Sequence, residues 1–163
     1  MNIIKGDLIG LAEQGYFHII VHGCNCFCTM ASGIAGQISK RYPGAAEIDA
    51  QTIRGDRSKL GTFTQYQTDI GFYIINAYTQ YTFSRGEDVF EYKAFEHFLQ
   101  NLKEKILSIR SEADIESVIR IGFPKIGCGL AGGDFTRVLD ILLDFAEENC
   151  DIIDVTMVIY PER

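Results

Sequence analysis

Positive charge is what this chain has least of. It holds 15 lysines and arginines against 22 aspartates and glutamates, a formal net charge of −7. Proteins that grip nucleic acid without regard to sequence need a basic face, so this balance argues against that class. Small anions stay open, because main-chain N–H groups bind phosphate without net positive charge. No apolar run is long enough to cross a bilayer. The start, Met1-Asn2-Ile3-Ile4-Lys5-Gly6-Asp7, lacks the charged opening and apolar centre of a secretory leader. No linker, repeat or low-complexity tract breaks the 163 residues, and that length fits one domain, 1–163.

The cysteine count is five, an odd number, and three lie within Cys24-Asn25-Cys26-Phe27-Cys28. Such crowding does not resemble a disulfide framework, so reduced thiols in a cytoplasm are expected. Alternate residues of an extended segment point to opposite sides, so three cysteines spaced this way do not converge on one ion. No Cys-x-x-Cys accompanies them. No metal and no cofactor are therefore expected.

The composition, 47% hydrophobic and 23% charged, is that of an ordinary globular protein. Ile3-Ile4 reads as a short strand and Asp7 to Glu13 as a helix. Residues 17–22 form an unbroken apolar strand. Helices are expected over Gly33 to Arg41 and over Ala45 to Ile53, the second closed by Gly55. Strands 61–66 and 72–78 pair antiparallel through the turn Thr68-Asp69-Ile70-Gly71. Residues 80–90 read as a loop.

Phe95, Phe98, Leu99, Leu102, Ile106 and Ile109 repeat at helical spacing and predict a helix from Tyr92 to Ile109. Strand 118–123, a helix from Phe135 to Glu148 and strand 155–160 complete the chain. The last helix should bury Val138, Leu139, Leu142, Leu143 and Ala146. Apolar strands alternating with helices predict a three-layer α/β/α sandwich with a mixed, mostly parallel central sheet.

Two glycine-rich segments follow two of these strands. The first runs Gly23-Cys24-Asn25-Cys26-Phe27-Cys28-Thr29-Met30-Ala31-Ser32-Gly33-Ile34-Ala35-Gly36. The second runs Lys125-Ile126-Gly127-Cys128-Gly129-Leu130-Ala131-Gly132-Gly133-Asp134. Glycine lets backbone N–H groups approach a ligand, and the helix start behind each loop adds partial positive charge. In parallel sheets ligands bind beyond the carboxyl ends of the strands, where both loops lie. The pair predicts a diphosphate held by backbone rather than by basic side chains.

Lys5-Gly6-Asp7-Leu8, an Asn-containing loop closing on Ser32-Gly33-Ile34-Ala35, and Gly127-Cys128-Gly129-Leu130 together resemble the macro domain family. The likeness covers essentially the whole chain. It implies an ADP-ribose site on an α/β/α sandwich. His22-Gly23-Cys24-Asn25-Cys26, with Arg41-Tyr42-Pro43, most resembles the branch that hydrolyses ADP-ribose-1''-phosphate. The ligand implied is ADP-ribose or its 1''-phosphate, and ADP-ribosylated macromolecules are further candidate partners. A related branch releases ADP-ribose from acidic side chains or DNA. That branch commonly places a lysine after the central strand pair, where this chain reads Asn76-Ala77-Tyr78-Thr79-Gln80-Tyr81. It can also carry an acid directly after Gly-Cys-Gly-Leu, where this chain has Ala131. A non-catalytic ADP-ribose binder is the third reading.

Each candidate residue has two readings. Asp7 is a helix cap by its spacing, and the resemblance implies a carboxylate for the adenine amine. Asn25 is a turn asparagine, or by resemblance the residue that bonds the distal ribose. His22 is a satisfied core histidine or a proton donor to the leaving group. Asp134 is a helix cap or a group that positions water. Leu8, Ser32, Gly33, Ile34, Ala35, Ile126, Gly127, Cys128, Gly129 and Leu130 should form the walls around the diphosphate, with main-chain donors from Gly33, Ile34 and Gly127 to Leu130. Phe27, Tyr78, Tyr81 and Phe83 are candidates to line the cleft, and Tyr160 to flank adenine.

Overall fold

The computed structural model describes residues 1–84, 89–129 and 131–161. Its six strands form one sheet in the order β1-β6-β5-β2-β4-β3. They are β1 Asn2–Lys5, β2 Ile19–Cys24, β3 Phe63–Gln67, β4 Tyr73–Tyr78, β5 Ile119–Phe123 and β6 Ile153–Ile159. All neighbours pair parallel except β3, which runs antiparallel to β4 at the edge. The mixed, mostly parallel sheet expected from the apolar strands is thus observed.

Helices cover both faces. On one side lie α1 Leu8–Glu13, α2 Gly33–Arg41 and α3 Pro43–Ala50; Leu8, Ile9, Ile38 and Ala45 pack there against Ile20 and Ile74. On the other lie α4 Tyr92–Glu112 and α5 Phe135–Glu148, whose Phe95, Phe98, Leu102, Val138 and Leu142 pack on Ile19, Val21, Ile75 and Val155. Successive strand residues alternate between the two cores, as the pleat requires.

The connections fix where a ligand fits. From β2 the chain crosses through α2 and α3 toward β3 and β4. From β5 it crosses through α5 to β6, on the opposite side. Neighbouring strands β2 and β5 therefore send their chains in opposite directions, which opens a crevice beyond their carboxyl ends.

Several boundaries differ from the sequence expectation. Strand β2 begins at Ile19 and takes in Gly23 and Cys24, so the first loop starts at Asn25. Helix α3 starts at Pro43, whose fixed φ suits a first helical turn, and stops at Ala50. Gly55 does not close that helix: it has φ +76° and donates its N–H to the Cys26 carbonyl at 2.7 Å. Helix α4 runs on to Glu112. In α5 Leu143 faces solvent and Phe145 takes its place in the buried stripe.

Candidate functional site

The strand ends at the β2/β5 crevice carry a groove in two joined halves, with cavity volumes of about 430 and 420 Å³. The distal half is walled by Asn25, Thr29, Ser32, Ala35, Gln80, Phe83, Ile126, Gly127 and Ala131, among others. The proximal half is walled by Asp7, Leu8, Gln37, Cys128, Val158 and Tyr160, among others. Gly33, Ile34, Pro124, Lys125 and Gly129 border both. The two glycine-rich corners therefore face one continuous groove. A third cavity of about 320 Å³ lies at the other end of the sheet, where Ile19, Tyr73 and Ile119 begin their strands, and its walls are mostly apolar.

The shared border is built for an anion. Helix α2 makes its first backbone bond from Gly36 N to the Ser32 carbonyl, and the Ser32 side chain does not cap it. The N–H groups of Gly33, Ile34 and Ala35 are thus left as the free start of the helix, at the junction of the halves. Opposite them, the Gly127 and Gly129 N–H groups have no partner among the described residues. One expected donor is already spent, since Cys128 N bonds Lys125 O at 3.2 Å; Ile126 N beside it bonds Pro124 O at 2.7 Å. Leu130 lies outside the described residues. Lys125 borders both halves, a cation that the backbone-only expectation left out. Its signal was its place at the mouth of the second loop.

Asp7 occupies the N-cap position of α1, yet its side chain makes no capping bond. The carboxylate rests against Gly10, where an added Cβ would meet Oδ2 at 2.8 Å. It is exposed and borders the proximal half, as does Tyr160.

Asn25 plays its turn role in full. Its Oδ1 accepts from Phe27 N at 2.8 Å and its Nδ2 donates to Thr29 O at 2.9 Å, so the side chain shapes the loop that walls the distal half. One amide hydrogen and one lone pair remain for a ligand.

His22 does not reach the groove. The ring is completely buried on the α3 side of the sheet, with Nε2 at 2.6 Å from Asn76 Oδ1. That oxygen only accepts, so Nε2 donates. Asn76 in turn donates to Ala45 O and Thr64 Oγ1, and Tyr78 donates to Asp49 at 2.7 Å. Burial pushes the imidazole down to about 4, which keeps it neutral. Its place is that of a core histidine, and a proton-transfer role does not fit.

Asp134 is likewise a cap. It accepts from Thr136 N at 2.9 Å and Arg137 N at 3.4 Å, and it borders neither half of the groove. Tyr78 is buried and borders neither half of the groove. Tyr81 spends its hydroxyl on Gly55 O. Phe83 is 57% exposed and borders the distal half, backed edge-on by Phe27. Gln80 and Thr29 are groove residues that sequence reasoning missed; neither carries a pattern that marks it.

A family model described as Macro domain matches residues 21–142. The chain belongs to the macro domain family. An uncharacterized 17.5 kDa protein of the tk-vs intergenic region of Enterobacteria phage T4 is 36% identical over 159 residues, covering 95% of each chain. An ADP-ribose 1''-phosphate phosphatase of Candida glabrata is 24% identical over 164 residues, covering 87% of this chain and 90% of that one. The macrodomain of Thermus aquaticus DarG shares the fold at a TM-score of 0.71 and 18% identity, covering 99% of this chain and 97% of that one.

Proposed function

We propose that this macro domain binds ADP-ribose and hydrolyses the terminal phosphate of ADP-ribose-1''-phosphate. The observation that carries the reading is the two-part groove joined at an uncapped helix start. The diphosphate sits at that junction, on the free N–H groups of α2 and of Gly127 and Gly129, with Lys125 alongside. Asp7 and Tyr160 receive adenine in the proximal half. Asn25 turns its remaining amide hydrogen toward the distal ribose. The phosphatase activity of the Candida relative supports the substrate.

The described walls of the distal half hold no carboxylate and no imidazole. Hydrolysis then rests on holding the phosphomonoester and a water in line, and on main-chain dipoles that stabilise the charge as the P–O bond breaks. Water supplies the new oxygen on phosphorus, and the 1'' oxygen leaves on the sugar as a hydroxyl. A lysine adduct finds no support after β4, where Gln80 borders the groove, and Ala131 stands where an acid would assist it.

A second reading, release of ADP-ribose from a modified macromolecule, draws on exposed Phe83 at the distal mouth, a surface a larger acceptor would cover. One experiment separates the two. The protein is incubated with ADP-ribose-1''-phosphate and with ADP-ribosylated acceptors, and phosphate and free ADP-ribose are measured. Phosphate release from the first upholds the proposal; release of ADP-ribose alone, from the second, replaces it.

A further inference from the structure

A lysine hidden behind the distal wall has no part in the reading above. Lys59 follows α3 in a short 3-10 turn, Arg57–Lys59, and is only 8% exposed. Its ammonium donates to Thr52 Oγ1 at 2.7 Å, Cys26 O at 3.0 Å and Ile53 O at 3.2 Å, and lies 5.0 Å from the centre of the Tyr78 ring. Among the described residues no carboxylate oxygen comes within 4.0 Å of it. A buried ammonium on neutral acceptors is costly, so a fold that keeps one holds it in a tightly defined place.

The place is the back of the loop whose front forms the distal wall. Cys26 O takes both Lys59 and the Gly55 N–H, while Cys26 N bonds Tyr81 O at 2.9 Å. Two residues on, Cys28 has φ +55°, and its thiol donates to Asp49 O beside Lys59. Asn25 ties the same turn from the groove side. Lys59 thus joins segments 24–29 and 52–55, and Cys26 N carries the tie on to Tyr81 in segment 79–83; 24–29 and 79–83 supply groove walls.

We propose that Lys59 is a positioning residue for the distal half of the groove: its ammonium anchors the Asn25 loop from behind and sets the affinity for the sugar beyond the diphosphate. The inference rests on the ADP-ribose reading of the groove, and it does not depend on turnover. It also places a full positive charge behind the wall nearest a terminal phosphate, in a chain of net charge −7.

The test compares two probes by calorimetry. ADP fills the proximal half and the junction; ADP-ribose adds the distal ribose. Lys59→Met keeps the stem and removes the ammonium. It is expected to weaken ADP-ribose by about tenfold with ADP within about twofold of wild type, because only the distal wall loses its support. Lys59→Arg should recover most of the loss. Thr52→Val removes one ammonium partner and should weaken ADP-ribose by about threefold, again sparing ADP; it serves if Lys59→Met fails to fold.

Equal losses for both probes would mark Lys59 as merely structural and overturn the proposal. So would unchanged ADP-ribose affinity in Lys59→Met, or in Thr52→Val where that is the variant that folds. A wild-type protein that binds ADP-ribose no better than ADP overturns it as well. A wild type that prefers ADP-ribose yet releases no phosphate ends the phosphatase reading alone and leaves the variants to decide this one.

Discussion

Gly127 is where the fold and the groove constrain each other most tightly. It sits at φ +73°, and a Cβ there would lie 2.2 Å from Cδ2 of Phe90. Phe90 cannot step aside. It is 2% exposed, set edge-on against Tyr92, and its N–H bonds Ala131 O. Gly133 closes the same knot by donating to Gly127 O at 2.7 Å. Gly127→Ala therefore carries two penalties. A left-handed conformation costs an L-residue about 1–2 kcal/mol. Forcing a methyl into packed core adds about 1–3 kcal/mol.

Gly33 offers the control. It is also left-handed, at φ +57°, but nothing lies within 4 Å of its missing Cβ. Gly33→Ala should bear the backbone penalty alone. Near 160 residues, 1 kcal/mol moves Tm by about 2–4 °C; with about 1 kcal/mol for the backbone and about 2 kcal/mol for the methyl, Gly127→Ala should fall by about 6–12 °C, against about 2–4 °C for Gly33→Ala. Thermal unfolding by circular dichroism measures both. Combining Gly127→Ala with Phe90→Leu should cost at least about 1 kcal/mol less than the two single changes added, because the smaller side chain frees the space the methyl needs. Equal Tm shifts for the two glycine variants, or an additive double variant, would refute the wedge of Phe90 beneath the second loop.

Other outcomes follow from the same geometry. His22 has a folded pKa of about 4 against an ordinary 6.5, so its contribution to stability is complete above pH 6.5 and is lost as pH falls toward 4; denaturant titrations should show a loss of about 3 kcal/mol across that window that His22→Gln abolishes. Asp7→Asn should weaken ADP-ribose by about tenfold in calorimetry with Tm unchanged, since the carboxylate makes no capping bond. Asp134→Ala should lower stability by about 1 kcal/mol through the lost cap and leave phosphate release at the wild-type rate. Asn25→Ala should lower both Tm and ADP-ribose affinity, because the side chain ties Phe27 and Thr29 as well as facing the groove.

The sequence carried the layers and the place of the groove, because those depend on apolar alternation and on where glycines follow strands. Helices α2 and α5 match their expected spans to the residue. It carried less where a residue's role depends on which way it faces. His22 and Gly23 are consecutive in β2, and the pleat sends the ring into the α3-side core while the strand end borders the groove. One step of register decides between catalyst and core, and no local pattern reports it. Asp7 and Asp134 show the same limit from another side. Both read as helix caps; only the second accepts backbone N–H groups with its side chain.

Charge was the least legible property, for a physical reason. A total of −7 describes the surface average, whereas the ligand meets local fields. Lys125 borders both halves of the groove and Lys59 lies behind its distal wall, while the acidic excess is spread over exposed helix faces. An acidic chain can thus present a positive seam to a diphosphate. On the proposed reading, such a seam would let the groove hold a diphosphate with few side-chain contacts. Two uncompensated helix and loop corners then supply direction and Lys125 supplies sign.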